Sequence, residues 1–264
     1  MDLQLSGKHA LVTGSTGGIG LAIAKALASE SAEVILNGRS SDRVLSAAEE
    51  IRAEIPDAVL NDFVGDLSLA DRVDALAVQF KHIDILVNNL GVYGPKPFEK
   101  ITDADWYSII ETNFMSGLRL SRHFLPRMKK SGWGRIIFIS SESAANIPAE
   151  MIHYGVTKTM QVSLARGLAE MTRGTAVTVN TILAGPTRSE GVAGFIKGMA
   201  QSRNVAAEVV EKEFFQTVRP SSLLQRFATV DEIASMVAYV ASPLSSATNG
   251  AALRVEGGVL STIL

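Results

Sequence analysis

Short apolar runs alternate with segments of helical period along the chain. His9-Ala-Leu-Val-Thr13 is an extended run, and Ile19, Ala22, Ile23, Ala26 and Leu27 follow at i, i+3, i+4, i+7 and i+8, the spacing of one helix face. Further strand-like runs lie at Glu33–Asn37, Ala58–Phe63, Ile83–Asn88, Gly134–Ser140, Thr175–Leu183 and Ala251–Val255, each parted from the next by a helical segment. That order predicts an α/β fold, a doubly wound parallel sheet of about seven strands with helices on both faces. A side-chain oxygen followed three residues later by an acid marks helix starts at Ser68/Asp71, Thr102/Asp105 and Thr229/Glu232. One apolar stripe, Trp106, Ile109, Ile110, Phe114, Gly117 and Leu118, also carries Asn113, a polar amide that needs partners if it faces a core.

Only Arg188–Phe227 breaks the alternation. Within it Phe195, Ile196 and Met199 are interleaved with Gly191, Gly194 and Gly198, and Ala206, Val209, Val210 and Phe214 have the spacing of a short amphipathic helix. Long intervals of this kind often form lids or binding loops, so 188–227 is predicted to be a helical, lid-like insertion over a substrate. No linker divides the chain, and residues 1–264 are expected to form a single domain.

Composition narrows the function classes. The 264 residues carry a formal net charge of −2, with no field to gather nucleic acid or an anionic membrane. Arg122, His123, Arg127, Lys129 and Lys130 look basic, but they close a long helical pattern, where cations complement exposed carbonyls. The absence of cysteine excludes disulfides, thiolate metal sites and cysteine nucleophiles. With 47% hydrophobic residues, no apolar run of membrane-spanning length and no signal-like start, a soluble cytoplasmic protein is expected.

Two stretches carry chemistry. Thr13-Gly-Ser-Thr-Gly-Gly-Ile-Gly20 places Gly14, Gly18 and Gly20 between the first strand and its helix, where a bare backbone can approach a pyrophosphate at the helix's positive end. It lacks the Gly-Lys-Ser/Thr ending of a nucleoside-triphosphatase loop. Tyr154 and Lys158, four residues apart, share a helix face, and a cation beside a phenol favours phenolate. Ser141 falls at the carboxyl end of the fifth strand, where open α/β sheets bind ligands. After the second strand the chain reads Asn37-Gly-Arg39-Ser40, with a guanidinium where NAD enzymes place an acid.

Thr13–Gly20, Asn88-Asn-Leu-Gly91, Asn113, Ser141, Tyr154/Lys158 and the ending Gly250–Gly258 have the order and spacing of the short-chain dehydrogenase/reductase family, and the match covers nearly the whole chain. Leu224-Gln-Arg-Phe followed by Val230-Asp-Glu-Ile-Ala resembles the 3-oxoacyl-carrier-protein reductases of that family. Two departures are Leu90 for the usual Ala, and Ala184-Gly185-Pro186 for the usual Pro-Gly. The resemblance implies a Rossmann-like domain that moves a hydride between a nicotinamide cofactor and a small carbonyl/alcohol substrate; Arg39, with no acid at Asn37 or Gly38, points to NADP(H) over NAD(H), although position 17 is Gly where family members that prefer NADPH often carry a second basic residue. It implies Asn113, Ser141, Tyr154 and Lys158 as catalytic residues, with Asn113 holding a water that links Lys158 to solvent. It implies cofactor contacts at Gly14, Ser15, Gly18, Ile19, Gly20, Arg39, Asp66, Leu67, Asn88, Gly91, Tyr154, Lys158, Gly185 and Thr187. It also implies a homo-oligomer, dimer or tetramer, paired through the long helix Asp103–Lys130 and the helix after Tyr154. No metal is expected. A nucleotide-binding regulator of the same fold that turns nothing over is the alternative, and the four catalytic positions together favour the enzyme. His153, a rival acid/base, is one residue off the Tyr/Lys face and is expected to line a wall.

Overall fold

Strand alternation decides which residue meets which helical layer. Ala10 and Val12 of the first strand join one buried cluster while Leu11 joins another; Ile137 and Ile139 divide from Ile136 and Phe138 in the same way. In the computed structural model, which describes residues 2–263, these residues belong to a single seven-stranded sheet in the order β3-β2-β1-β4-β5-β6-β7. The strands are β1 His9–Val12, β2 Glu33–Gly38, β3 Leu60–Val64, β4 Ile85–Asn88, β5 Gly134–Ser141, β6 Val177–Ala184 and β7 Ala252–Val255, and every pairing is parallel. Strand order reverses between β1 and β4, the switch point at which such sheets open a ligand crevice.

Helices α1 Gly18–Ser29, α2 Ser41–Glu54 and α9 Val230–Ala241 cover one face; α3 Ala70–Gln79, α5 Ser116–Ser131 and α6 Ile152–Glu170 cover the other. β5 and β6 are buried at every position, as a central strand between two helical layers requires. Capping boxes form at Thr102/Asp105, which starts α4 Asp103–Ile110, and at Thr229/Glu232. The start expected at Ser68/Asp71 does not form. The Ser68 hydroxyl is spent on Asp66 Oδ1 (2.7 Å), and α3 begins at Ala70 with no side-chain cap. The basic residues of α5 bond carbonyls at the ends of neighbouring helices rather than its own, Arg127 at Ala77 of α3 and Lys129 at Met171 just past α6, and the helix ends on left-handed Gly132. Among the described residues no helix is long and apolar enough to cross a membrane.

Arg188–Phe227 is helical over most of its length. It contains α7 Glu190–Arg203, which takes in all three glycines of the expected flexible stretch, and α8 Ala207–Thr217. Ile196, Ala200, Val210, Phe215 and Phe227 give this segment a small core of its own. Phe214 stacks on Phe227 with ring centroids 5.0 Å apart, while Phe195 points outward and is 66% exposed.

Candidate active site

The glycine turn joins β1 to α1, and its shape leaves no room for side chains. Gly18 has φ +54°, and a Cβ on Gly20 would lie 2.3 Å from the Gly14 carbonyl oxygen. Asn37 braces the turn: its Oδ1 accepts the Gly14 N–H (3.1 Å), and its amide nitrogen donates to the carbonyls of Phe63 and Gly65. Ser15 is fully buried and its hydroxyl accepts the Asn37 N–H (2.8 Å), so that side chain holds the turn to β2. Thr13 Oγ1 accepts from the backbone of both Asn89 and Leu90 (2.9 Å each), fastening the ends of β1 and β4 across the switch point. The unusual Leu90 is accommodated by packing on the second core. The result is a backbone cradle at a helix N-terminus, lined by Gly14, Gly18, Ile19 and Gly20, that fits a dinucleotide pyrophosphate.

Around this cradle the other expected positions take separate places. Asp66 Oδ1 accepts from both Ser68 N and Ser68 Oγ, and Leu67 is buried in the second core. Asn88 is buried, and its Oδ1 has no hydrogen-bond partner. Gly91 lies against the reactive end, where an added Cβ would come within 3.4 Å of Lys158 Nζ. Gly185 donates its N–H to Val255 O, and Thr187 Oγ1 donates to Gly185 O. Arg39 is exposed on the loop after β2. Arg43, which sequence reasoning missed, bends from the first turn of α2 to donate to Thr16 O (3.3 Å), with a terminal nitrogen 3.2 Å from where a Gly17 Cβ would be. A guanidinium thus stands where the sequence offered only glycine. The available signal was its position four residues beyond Arg39, in the first turn of the helix that follows.

At the reactive end, β5 delivers Ser141 and α6 delivers Tyr154 and Lys158. Lys158 is 5% exposed and its ammonium donates to Ile139 O (2.8 Å), standing 5.6 Å from the centre of the Tyr154 ring. Burial pushes its pKa down to about 8. Tyr154 packs edge-on to Tyr93 at 6.1 Å. The expected lowering of the phenol does not dominate here: burial drives its pKa well above the ordinary value, with the Glu142 charge adding to the rise, while Ser141 and Arg219 work against it. Burial is the larger effect, and the ammonium, 5.6 Å from the ring centre, is spent on the Ile139 carbonyl.

Asn113 lies in a five-residue π-helical turn, Glu111–Met115, between α4 and α5. Its amide is fully used: Oδ1 accepts the Val92 N–H (2.7 Å), and Nδ2 donates to Val92 O (2.9 Å) and Thr157 Oγ1 (3.1 Å). Its backbone carbonyl receives Gln161 Nε2 at 2.6 Å. Asn113 therefore clamps the Gly91–Val92 loop to α6, one residue from Lys158. His153 is buried edge-on to Trp106 at 6.1 Å, as a wall residue would be, and burial lowers its pKa. Sequence reasoning also missed Glu142, which is buried beside Ser141 and paired with Arg219.

Comparison with known proteins gives this geometry relatives. The sequence profile of the short chain dehydrogenase family matches residues 8–199. The uncharacterized oxidoreductase YvaG of Bacillus subtilis is 44% identical over 263 residues, covering 100% of both chains. The D-beta-hydroxybutyrate dehydrogenase of Rhizobium meliloti is 33% identical, over 95% of this chain and 98% of its own. Among solved structures, L-sorbose reductase from Gluconobacter frateurii, complexed with NADPH and L-sorbose, superimposes with a TM-score of 0.92 at 29% identity, covering 100% of both chains.

Proposed function

The chain belongs to the short chain dehydrogenase family and is an oxidoreductase of that kind; on that premise we propose that it is an NADP(H)-dependent enzyme interconverting a small carbonyl compound and its alcohol, with Tyr154 as the proton donor and acceptor. The observation that carries this reading is the convergence of Ser141, Tyr154 and Lys158 at the carboxyl ends of β4 and β5, beside the glycine cradle. Nicotinamide, when bound, supplies or accepts the hydride. Tyr154 gives its phenolic proton to the carbonyl oxygen in reduction and takes it back in oxidation. Ser141 holds that oxygen as charge develops on it. Lys158, lowered to about 8, is poised to exchange protons near neutral pH, and Asn113 fixes the loop and helix that frame it.

Preference for NADP(H) follows from chemistry at the ribose end. No acid stands at Asn37 or Gly38, and Arg39 and Arg43 offer two guanidinium groups on the α2 side of the turn, suited to a 2′-phosphate. The Arg188–Phe227 segment would serve as the lid. Its first turn touches the cradle, since a Cβ on Gly18 would lie 3.3 Å from Ser189 Cβ, and its far end bonds to Gly257 through Leu223 and Leu224. The apolar groove formed by Phe114, Ile147, Val156, Met160 and Leu164 along α6 is the face on which a second copy would pack.

The test is Tyr154→Phe, which removes one hydroxyl and leaves the ring. Using NADPH with L-sorbose or a 3-oxoacyl thioester, and NADP+ with D-β-hydroxybutyrate, turnover should fall by about 10²–10⁴-fold. Cofactor affinity, read by nicotinamide fluorescence, should stay near wild type. Near-normal turnover in the variant would remove Tyr154 from the chemistry.

A further inference from the structure

At the end of the sheet away from the glycine cradle, three neighbouring parallel strands bring two imidazoles and two carboxylates together. His9 opens β1, Glu33 opens β2 as its register partner, and Asp84 stands immediately before β4, with His82 in the loop that leads to it. Asp84 is 7% exposed and is held by its backbone on both sides: its N–H donates to His9 O and its carbonyl accepts the Arg135 N–H, 2.9 Å each. Its Oδ2 accepts the His9 N–H at 3.0 Å, which fixes the carboxylate. The imidazoles stand edge-on to one another, ring centres 5.4 Å apart, with His9 Nδ1 3.4 Å from Oδ2 and His82 Nε2 3.2 Å from Oδ1.

This arrangement leaves one nitrogen unused. His9 Nε2 stands 3.4 Å from Glu33 Oε2, while Nδ1 is buried with no hydrogen-bond partner among the described residues. A neutral imidazole has a single N–H. With that hydrogen on Nε2 toward Glu33, the Nδ1 lone pair faces a carboxylate oxygen, and two acceptors so placed call for a cation between them. A carboxylate behind the far nitrogen is also how metal-bound histidines are commonly oriented. Ligand atoms about 2.0–2.1 Å from a tetrahedral zinc ion stand roughly 3.3 Å apart, close to the separations from both imidazoles to Asp84. The donor atoms of all three residues lie within 4.8 Å of one another, and the exposed His82 side chain can swing to close the remainder.

We propose that His9 Nδ1, His82 Nε2 and the Asp84 carboxylate bind one divalent metal ion of the zinc class, with Glu33 as the outer partner that sets the His9 tautomer. Two imidazoles and a carboxylate suit zinc and its transition-metal neighbours better than magnesium or calcium, which take oxygen ligands. Three protein ligands leave a coordination position for water on the exposed His82 side. The ion joins the start of β1 to the start of β4. It lies at the amino ends of the strands, whereas Ser141 ends β5 at the opposite edge of the sheet, so the site is separate from hydride transfer, for which no metal is expected.

The test is isothermal titration calorimetry of the full-length chain, free of any purification tag and stripped with a chelator, using zinc ion alone as the probe. Wild type should bind one zinc ion per chain. Glu33→Gln keeps all three ligands and should bind it about 10–100-fold more weakly, the loss expected when a histidine ligand's outer partner is removed. His82→Ala, an exposed change outside every helix and strand, should cost more than that while circular dichroism stays that of wild type. His123→Gln, whose imidazole is paired with Asp74 on the other side of the chain's α3–α5 contact, should bind as wild type does. An excess of magnesium or calcium should not displace the zinc. Because the ion binds the folded chain, zinc should raise the thermal midpoint of wild type and leave that of His82→Ala unchanged. Failure of wild type to bind would overturn the proposal and leave the two imidazoles as ion-pair partners of Glu33 and Asp84. Undiminished affinity in His82→Ala, displacement by calcium, or an equal thermal shift in both proteins would overturn it too, and would mean an adventitious ion only. Wild-type affinity in Glu33→Gln would overturn the role given to Glu33.

Discussion

Replacing Lys158 by Met removes a charge that the fold holds at a cost, and that cost has a pH signature. In the folded chain its pKa is about 8 against an ordinary 10.5. Below pH 8 the lysine is protonated in both folded and unfolded chains, and the penalty for burying the charge is fully present, about 3 kcal/mol from a gap of this size. Between the two values the unfolded chain binds the extra proton and the folded chain does not, so stability rises with pH. From pH 7 to 9.5 the gain is about 2 kcal/mol. The scan stops there because Tyr154 has the opposite sign: an acid whose folded pKa is raised loses stability as pH climbs past its unfolded value, near ~10. Urea unfolding of wild type and Lys158→Met, followed by circular dichroism at pH 7, 8, 9 and 9.5 and at one protein concentration, isolates the lysine, because other titrating groups cancel in the difference. The wild-type advantage should grow with pH by about 2 kcal/mol. Parallel curves would refute the argument and mean that the ammonium is adequately solvated where it stands.

Arg39→Ala and Arg43→Ala should each lower the NADPH/NADH ratio of kcat/KM by about tenfold, the loss of one charge-assisted bond to phosphate; an unchanged ratio in either variant removes that arginine from the ribose end. Hydrogen exchange across 190–215 should slow only when cofactor and substrate are both present, and equal protection in both states would mean that the segment is fixed structure. Light scattering should find an oligomer for wild type and a smaller species for Leu164→Arg, which places a charge in the apolar groove on α6; a wild-type monomer would dispose of that interface.

The sheet was legible because most strands read as short, largely apolar runs parted by helical segments, and the seven strands lie where expected with ends displaced by at most two residues. β3, for example, covers Leu60–Val64 against an expected Ala58–Phe63. The start of α3 was misread because Ser68 and Asp66 satisfy one another locally, a competition that spacing alone does not reveal. The helix over Glu190–Arg203 was hidden by Gly191, Gly194 and Gly198, which weaken helical propensity but have open space around them. At the site, Ser141, Tyr154 and Lys158 were singled out by a family-like order of motifs rather than by spacing alone, whereas Arg43, Glu142 and Arg219 act through contacts across 27 and 77 positions of chain, which no local pattern encodes.

The π turn at Glu111–Met115 makes chain length itself a fixed quantity in this part of the protein. An α-helix advances about 100° per residue, so deleting one residue there would turn the whole of α5 by that angle about its axis. Leu120, Phe124 and Leu125, now packed in the second core, would swing toward solvent, and the Asn113 carbonyl would lose its alignment with Gln161. Between the Thr102 cap and the Gly132 stop, substitutions can be absorbed one side chain at a time, but an insertion or deletion cannot. A tolerance map of this enzyme should therefore show a stretch where residue types vary freely on the outer face while the residue count does not vary at all.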